Sequence, residues 1–304
     1  MQNDAFKSGF VAVIGRPNVG KSSLINSYVG KKIAITSSKP QTTRNRILGI
    51  LTTEDYQIAF TDTPGIHKPQ TELGRRMVNA SYDATHGVDC ILFMTTPVKQ
   101  VLKGDEIILS HLKNTKLPVF LVINKLDQLK HFNDIDLTIA IYQNLFPFEG
   151  VYPISVLDNK NLDHLLEDIV KALPIGPKYY PEHMSSDHSV RFLMAEVIRE
   201  KILILTEEEV PHSIAVTIDH ITPCEENENY QDVYATIYVE RDSQKKIIIG
   251  KNGAMLKNIK QKSMGDIKRL LESKLHLELW VKVKKDWKNR ENDLQSLGYS
   301  EDQF

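Results

Sequence analysis

The chain reads as an α/β protein, a mostly parallel sheet with helices on both faces, followed by a smaller α+β domain. Three observations predict this. Up to residue 173 short apolar runs alternate with helical patterns, the layout of repeated strand-helix units. Pro174-Ile175-Gly176-Pro177-Lys178-Tyr179-Tyr180-Pro181 then breaks the pattern, because three prolines and a glycine forbid a helix and favour an extended connection. Beyond the break, one long amphipathic stripe precedes alternating, strand-like runs.

In order, strands are expected at Phe10 to Ile14, Ile47 to Leu51, Tyr56 to Phe60, Ile91 to Met94, Val119 to Ile123 and Val151 to Ile154. Val119-Phe120-Leu121-Val122-Ile123 has the continuous apolar character of a strand buried on both faces. In the second half, Val190, Leu193, Met194, Val197, Ile198, Ile202 and Leu205 fall on one helical face. Ser213 to Ile221 and Val233 to Val239 alternate as strands. Helical segments are expected around Ile247 to Ile249, Ala254 to Lys262 and Gly265 to Leu275, then a strand over Leu277 to Lys284. The boundaries drawn are a first domain at 1–173, a linker at 174–189, a second domain at 190–290 and a tail at 291–304.

Composition excludes several classes. With 304 residues, 41% hydrophobic and 25% charged, the chain is long enough for two cores and ordinary for a globular protein. Cys90 and Cys224 are the only cysteines and form no CxxC pair, so neither a disulfide framework nor a clustered zinc motif is indicated, and a reducing cytoplasm is expected. No apolar run approaches the roughly 20 residues of a membrane span, and no signal-peptide layout is visible. The net charge of -1 conceals two opposed regions. From Lys245 to Arg290, twelve Lys and two Arg face four acids, a net charge of +10, whereas Glu207 to Asp232 carries eight acids and no Lys or Arg. The basic block suits phosphate-bearing partners as well as it suits a solvated helix face.

The chemistry lies in loops that follow strands. Gly15-Arg16-Pro17-Asn18-Val19-Gly20-Lys21-Ser22 is a GxxxxGK[ST] loop between a strand and a helix that begins near Ser22 and Ser23. Its backbone N–H groups can cradle phosphates, Lys21 can neutralise the β- and γ-oxygens, and the Ser22 hydroxyl can ligate Mg²⁺. Asp62-Thr63-Pro64-Gly65 follows the third strand, placing a carboxylate near the magnesium and a glycine N–H near the γ-phosphate. Asn124-Lys125-Leu126-Asp127 follows the fifth. There Asp127 can accept the N1–H and N2–H donors of guanine, with Asn124 and the Lys125 stem fixing the base plane. Adenine lacks those donors and leaves the carboxylate unpaired, at a cost of ~1–3 kcal/mol. Ser155-Val156-Leu157 can add a backbone N–H toward the guanine O6. Each motif alone recurs by chance in surface turns; their order after successive strands is what is specific.

With these residues the chain resembles the P-loop GTPases, and Gln41-Thr42-Thr43-Arg44 points to the group that contains the Era-type and tRNA-modification GTPases. The resemblance implies that a threonine of that run closes over Mg²⁺ and the γ-phosphate, assigned here to Thr43 with Thr42 as fallback. Lys21, Thr43 and Gly65 then form the catalytic set, and Ser22, Thr43 and Asp62 the metal set. Signalling GTPases place a water-orienting glutamine after the DxxG glycine, whereas this chain has Ile66, so slow intrinsic hydrolysis is expected. Asn18 matches an asparagine that in some relatives helps bind K⁺.

In the second domain, Ile249-Gly250-Lys251-Asn252-Gly253 forms a GxxG turn between helical segments, inside the basic block. Such a turn lets a nucleic-acid backbone approach without Cβ obstruction. This resembles a KH domain of type II, the variant of Era-type proteins, with Lys251, Lys257 and Lys260 on phosphates. Trp280 and Trp287 are candidates for base stacking, at least one of them expected to pack internally. Across both domains the resemblance implies a bacterial GTP-hydrolysing protein of small-subunit ribosome assembly that binds ribosomal RNA near its 3′ end. A monomer is expected. The basic face is also compatible with peripheral contact at the inner face of the cell membrane, although no anchor supports it. Two alternatives remain at this point: a constitutive RNA-binding chaperone in which nucleotide is only structural, and a tRNA-modification enzyme, disfavoured because no catalytic cysteine or second cofactor motif is visible.

Overall fold

The computed structural model describes residues 5–37, 39, 42–65, 71–129, 133–207, 210–225 and 227–299. Gln41, Ile66 and the segment following Gly65 lie outside them. The chain divides into two compact units, one comprising Met1–Ala34, Thr43–Pro69 and Met77–Asp187, the other Ile35–Thr42, Gln70–Arg76 and His188–Phe304.

The first unit is built on a six-stranded sheet. Its strands are β1 (Lys7–Gly15), β2 (Ile47–Thr52), β3 (Tyr56–Asp62), β4 (Cys90–Thr95), β5 (Val119–Ile123) and β6 (Gly150–Pro153). They lie in the order β2-β3-β1-β4-β5-β6. All neighbours are parallel except β2, which is antiparallel to β3 and forms an edge. Helices α1 (Lys21–Val29), α2 (Glu72–Asp83, whose residues from Met77 on belong to this unit), α3 (Lys103–Leu112), α4 (Asn133–Gln143) and α5 (Leu162–Ala172) supply the connections. Alternation along β1 divides the core. Ala12 and Ile14 join Ile91, Phe93, Leu121 and Ile123 under Ile108 and Leu112 of α3 and Tyr142 of α4. Val11 and Val13, equally buried, point to the opposite face, where Tyr28 of α1 stacks on Phe60 of β3 and donates to the Leu162 carbonyl of α5.

The proline-rich stretch expected as a linker is extended but firmly bonded. The Pro174 carbonyl accepts from Ser8 N at 3.1 Å and the Phe6 carbonyl from Gly176 N at 3.1 Å. Gln57 Oε1 accepts from Tyr179 N and Tyr180 N, and Asp187 Oδ1 from Leu48 N. The Ser185 carbonyl accepts from Ile50 N at 3.0 Å. The stretch thus covers the open backbone edge of β2, groups that would otherwise invite pairing with another chain.

The second unit holds α6 (Val190–Leu205), β7 (Ala215–Cys224), β8 (Asn227–Val239), α7 (Asp242–Ile249), α8 (Ala254–Leu271), β9 (Lys274–Val283) and α9 (Glu291–Ser296). The sheet runs β7-β8-β9, antiparallel then parallel. Ser189 caps α6 by accepting from Phe192 N. Met194, Ile198 and Ile202 of α6, Ile248 of α7, and Ile259 and Ile267 of α8 pack on one face of the sheet, against Val233, Ala235, Ile237, Leu277 and Leu279. Two expectations require correction. The helical segments at Ala254 to Lys262 and Gly265 to Leu275 are one helix, because a Cβ at Gly265 would face open space and the buried Ile259, Ser263 and Ile267 continue one stripe through it. Leu275 belongs to β9, which starts at Lys274. The described part of the expected tail is also ordered: Leu294, Leu297 and Tyr299 are buried, and the Tyr299 ring stacks on Trp287 at 5.7 Å between centroids.

Trp287 is completely buried, and its Nε1 donates to the Ser213 carbonyl at 3.1 Å. Trp287→Ala is expected to cost the second unit ~3–5 kcal/mol, the usual result of removing a buried large aromatic side chain. Urea unfolding followed by circular dichroism checks this; an unchanged midpoint would contradict it.

Candidate functional site

Because β1, β3, β5 and β6 run in one direction, the loops at their carboxyl ends gather at one edge of the sheet, where ligands bind in open α/β folds. The ends of these strands, the loops after them and the first turn of α1 carry every residue singled out for nucleotide recognition in the first unit except Thr43, which lies just before β2.

The loop after β1 turns tightly because its glycines carry no Cβ. A Cβ on Gly15 would lie 2.2 Å from the Met94 carbonyl oxygen, and one on Gly20, already at φ 106°, would lie 2.3 Å from Asn124 Nδ2. Asn18 also adopts a left-handed conformation, φ 64°. The loop delivers Lys21, Ser22 and Ser23 at the first turn of α1, whose backbone N–H groups have no helical acceptors and attract anions. Lys21 Nζ curls back onto the Gly15 and Arg16 carbonyls at 3.0 and 3.1 Å. Burial lowers its pKa to about 8, with Asp62 pulling the other way.

Ser22, Thr43 and Asp62 converge. Ser22 Oγ donates to Asp62 Oδ2 at 2.6 Å and lies 3.0 Å from Thr43 Oγ1, which is itself 3.4 Å from the same carboxylate oxygen. Thr42 instead donates to the Lys39 carbonyl. Burial raises the Asp62 pKa to about 6 against the opposing charge of Lys21 and the two hydroxyls. Its Oδ1 is buried with no hydrogen-bond partner. Two hydroxyls beside a carboxylate whose second oxygen is unsatisfied fit a Mg²⁺ ion. Thr63 donates to the Val13 carbonyl and Ser81 to the Pro64 carbonyl, which fixes the turn after β3. A Cβ on Gly65 would lie 2.6 Å from Pro17 N, so this turn lies directly against the phosphate loop.

Asp127 sits on a single 3₁₀ turn, Leu126–Gln128, entered through Lys125 at φ 72°. Its Oδ1 accepts from Ser155 Oγ at 2.7 Å, and that hydroxyl accepts from Asp158 N. The carboxylate is thereby aimed, with Oδ2 left for a ligand donor. Asn124 ties the neighbouring loops together. Its Nδ2 donates to the Val19 carbonyl at 2.9 Å and its Oδ1 accepts from Val156 N at 3.1 Å, so the amide joins three loops. The Val156 N–H is therefore engaged, while the Leu157 side chain is 81% exposed.

One element escaped the sequence reading. Arg16 Nε donates to Asp105 Oδ2 at 2.8 Å, and the same buried carboxylate accepts from Tyr142 at 2.5 Å and Thr95 at 3.2 Å. This network anchors the first turn of the phosphate loop to α3, β4 and α4. No sequence spacing links those four residues, so no motif signals them.

In the second unit, Gly250 and Gly253 have φ of 72° and 76°, with Asn252 between at 51°. Lys251 and Asn252 are exposed, Ile249 is half-buried, and a Cβ at Gly253 would meet nothing within 4 Å. A groove of about 530 Å³ continues from Gly253 along Leu256, Lys257, Lys260 and Met264. Lys257 is exposed, and Lys260 pairs with Glu278 at 2.9 Å. Of the tryptophans only Trp280, 61% exposed, is available for stacking.

Two outcomes follow for the nucleotide edge. Asn124→Ala removes two hydrogen bonds that position loops and is expected to weaken guanine-nucleotide binding by ~10- to 100-fold, at ~1 kcal/mol per bond with little change in stability elsewhere; titration calorimetry decides, and unchanged affinity would contradict the loop-clamp role. Phosphate binding favours charged Lys21, so affinity should hold below pH 8 and fall as pH rises past the lysine's depressed pKa. Calorimetry from pH 7 to 8.5 checks this, and a flat profile would contradict it.

A family of 50S ribosome-binding GTPases matches residues 10–125, and the KH domain family matches residues 209–288. Among solved structures, Era in complex with MgGDPNP and nucleotides 1506–1542 of 16S ribosomal RNA is 40% identical with a TM-score of 0.93, covering 97% of this chain and 99% of that one. A tyrosine-to-alanine variant of Aquifex aeolicus Era bound to GDP·AlF₄⁻ gives the same identity and TM-score over 97% of this chain and 100% of its own. A P-loop GTPase fold followed by a KH fold, matched along nearly the whole chain at this identity, places the protein in the Era family of GTPases.

Proposed function

We propose that this protein is a GTP-hydrolysing switch that binds the 3′ region of small-subunit ribosomal RNA during assembly of the small ribosomal subunit. The observation that carries the nucleotide half is the meeting of Ser22, Thr43 and the half-satisfied carboxylate of Asp62 beside Lys21. The RNA half is supported by the exposed GxxG turn with its basic groove, and by the 40%-identical Era bound to 16S ribosomal RNA.

In this reading Lys21 and the first-turn N–H groups of α1 bind the β- and γ-phosphates, and Gly65 N–H meets the γ-phosphate. Ser22, Thr43 and Asp62 hold Mg²⁺, which when bound neutralises charge developing on the phosphate oxygens. Asp127, held by Ser155, accepts from the guanine N1–H and N2–H. No glutamine follows Gly65 in the sequence, so the attacking water is left to backbone groups or to a group supplied by the RNA or ribosome, and intrinsic turnover is slow. Asn18, with its left-handed backbone, is the residue offered to K⁺ as a fixed positive charge near the phosphates. In this reading the protein acts as a monomer. Ribosomal RNA as partner suits work in the cytoplasm. The basic surface from Lys245 to Arg290 suits peripheral contact with anionic lipid as a secondary role. No described helix is long and apolar enough to cross a membrane.

The switch rests on the segment 33–44. In the second unit Arg199 donates to the Thr42 carbonyl and Thr36 N donates to Glu200 Oε1; the next residue, Thr43, is the one whose hydroxyl lies at Asp62. Ordering of Thr43 around Mg²⁺ and the γ-phosphate is therefore linked through one peptide bond to the residues that α6 holds.

Linkage then requires that RNA bind with different affinity to the protein loaded with GDPNP and with GDP. Equal affinities, measured by fluorescence anisotropy on a small-subunit rRNA 3′ fragment, would overturn the switch in favour of a constitutive RNA binder. Lys251→Ala should weaken that RNA binding across sequences and lower the salt slope by about 1, while leaving GTP turnover without RNA unchanged.

A further inference from the structure

We propose that the outer face of the second unit's sheet carries a zinc-class metal site formed by Cys224, Asp232 and His276. One ligand atom from each lies within 4.8 Å of the others. His276 Nδ1 is 3.0 Å from Asp232 Oδ1 and 3.9 Å from Cys224 Sγ. Tetrahedral Zn²⁺, with Zn–S near 2.3 Å and Zn–N or Zn–O near 2.0–2.1 Å, separates S from N by about 3.6 Å and N from O by about 3.3 Å. The two separations that involve His276 come within a few tenths of an ångström of those values; Cys224 Sγ and the Asp232 carboxylate, within 4.8 Å of each other, close toward about 3.6 Å when the ion seats.

Two of the ligands are presented by regular pairing, and the third follows a register shift between Pro223 and Cys224 at the end of β7. Asp232 of β8 pairs with His276 of β9 on one side and with Thr222 of β7 on the other. Cys224 lies beyond the register shift, and its Sγ is brought to the same set, 3.9 Å from His276 Nδ1. The His276 ring is oriented by stacking on Tyr230 at 4.8 Å between centroids. Cys224 is buried while His276 remains exposed, which gives a metal an entry path and a shielded thiolate.

A second observation is electrostatic. Two of the three ligands, Cys224 and Asp232, fall within the stretch Glu207 to Asp232, which carries eight acids and no Lys or Arg. In a domain otherwise rich in lysine, this is where a cation is favoured. Lys274, the nearby cation, lies over the Tyr230 ring. A thiolate, an imidazole and a carboxylate select Zn²⁺ over Mg²⁺ or Ca²⁺, which take all-oxygen sets. The fourth position stays open to water or to an incoming donor. Binding releases the thiol proton and joins the end of β7 to the start of β9, which is distant in sequence.

The test uses tag-free, full-length protein kept loaded with MgGDP, so that the phosphate-loop metal site is already filled. Cobalt(II) is titrated as a spectroscopic stand-in for zinc. The site predicts one cobalt per chain, the intense visible absorption of tetrahedral cobalt, and a near-ultraviolet thiolate charge-transfer band that Zn²⁺ displaces. Cys224→Ser should abolish the charge-transfer band, and His276→Gln should weaken uptake at least about tenfold, while circular dichroism and GDP binding stay as in the parent. Absence of cobalt uptake at micromolar metal would overturn the proposal, and so would uptake that both variants leave intact. Should either variant unfold, Asp232→Asn provides an independent loss of affinity at the same site; undiminished uptake there would likewise refute it.

Discussion

One amide side chain organises the nucleotide edge. Asn124 donates to the Val19 carbonyl in the phosphate loop and accepts from Val156 N in the loop after β6, while standing in the sequence three residues before Asp127. The loop after β1 and the loops after β5 and β6 are thereby tied to one another. The close approach also dictates composition, since only glycine at position 20 leaves room for Asn124 Nδ2. Preorganisation of this kind saves ordering cost at the moment of binding.

The same economy appears on the phosphate side. Burial of Lys21 and Asp62 disfavours both charges and their mutual attraction offsets part of that, which is why the lysine pKa falls and the carboxylate pKa rises. A triphosphate beside the lysine or a dication beside the carboxylate would further favour the charged forms. The Arg16–Asp105–Tyr142–Thr95 network supports the arrangement from behind by fixing the loop whose carbonyls hold Lys21.

Much of this was legible in the sequence because it is local. Val119 to Ile123, apolar throughout, reads as a central strand and is one, and the phosphate-loop and DxxG glycines announce turns by their spacing. What stayed hidden depends on contacts between distant segments. The role of Asn124 is invisible because its partners lie 105 and 32 residues away. Asp105 looks like any acid in a first helical turn until its burial against Arg16 is seen. Gly265 read as a helix break because sequence does not reveal that its missing Cβ faces solvent. Trp287 and Trp280 are indistinguishable as letters; one fills the core beside Ser213 and the other stands in water.

The account stands or falls on base selection by Asp127. Calorimetric titration of the nucleotide-free, magnesium-supplied protein with GDP and ADP in parallel measures it most directly. An unpaired carboxylate should handicap ADP by ~1–3 kcal/mol, roughly a 5- to 150-fold difference in affinity. Equal dissociation constants for the two nucleotides would contradict it.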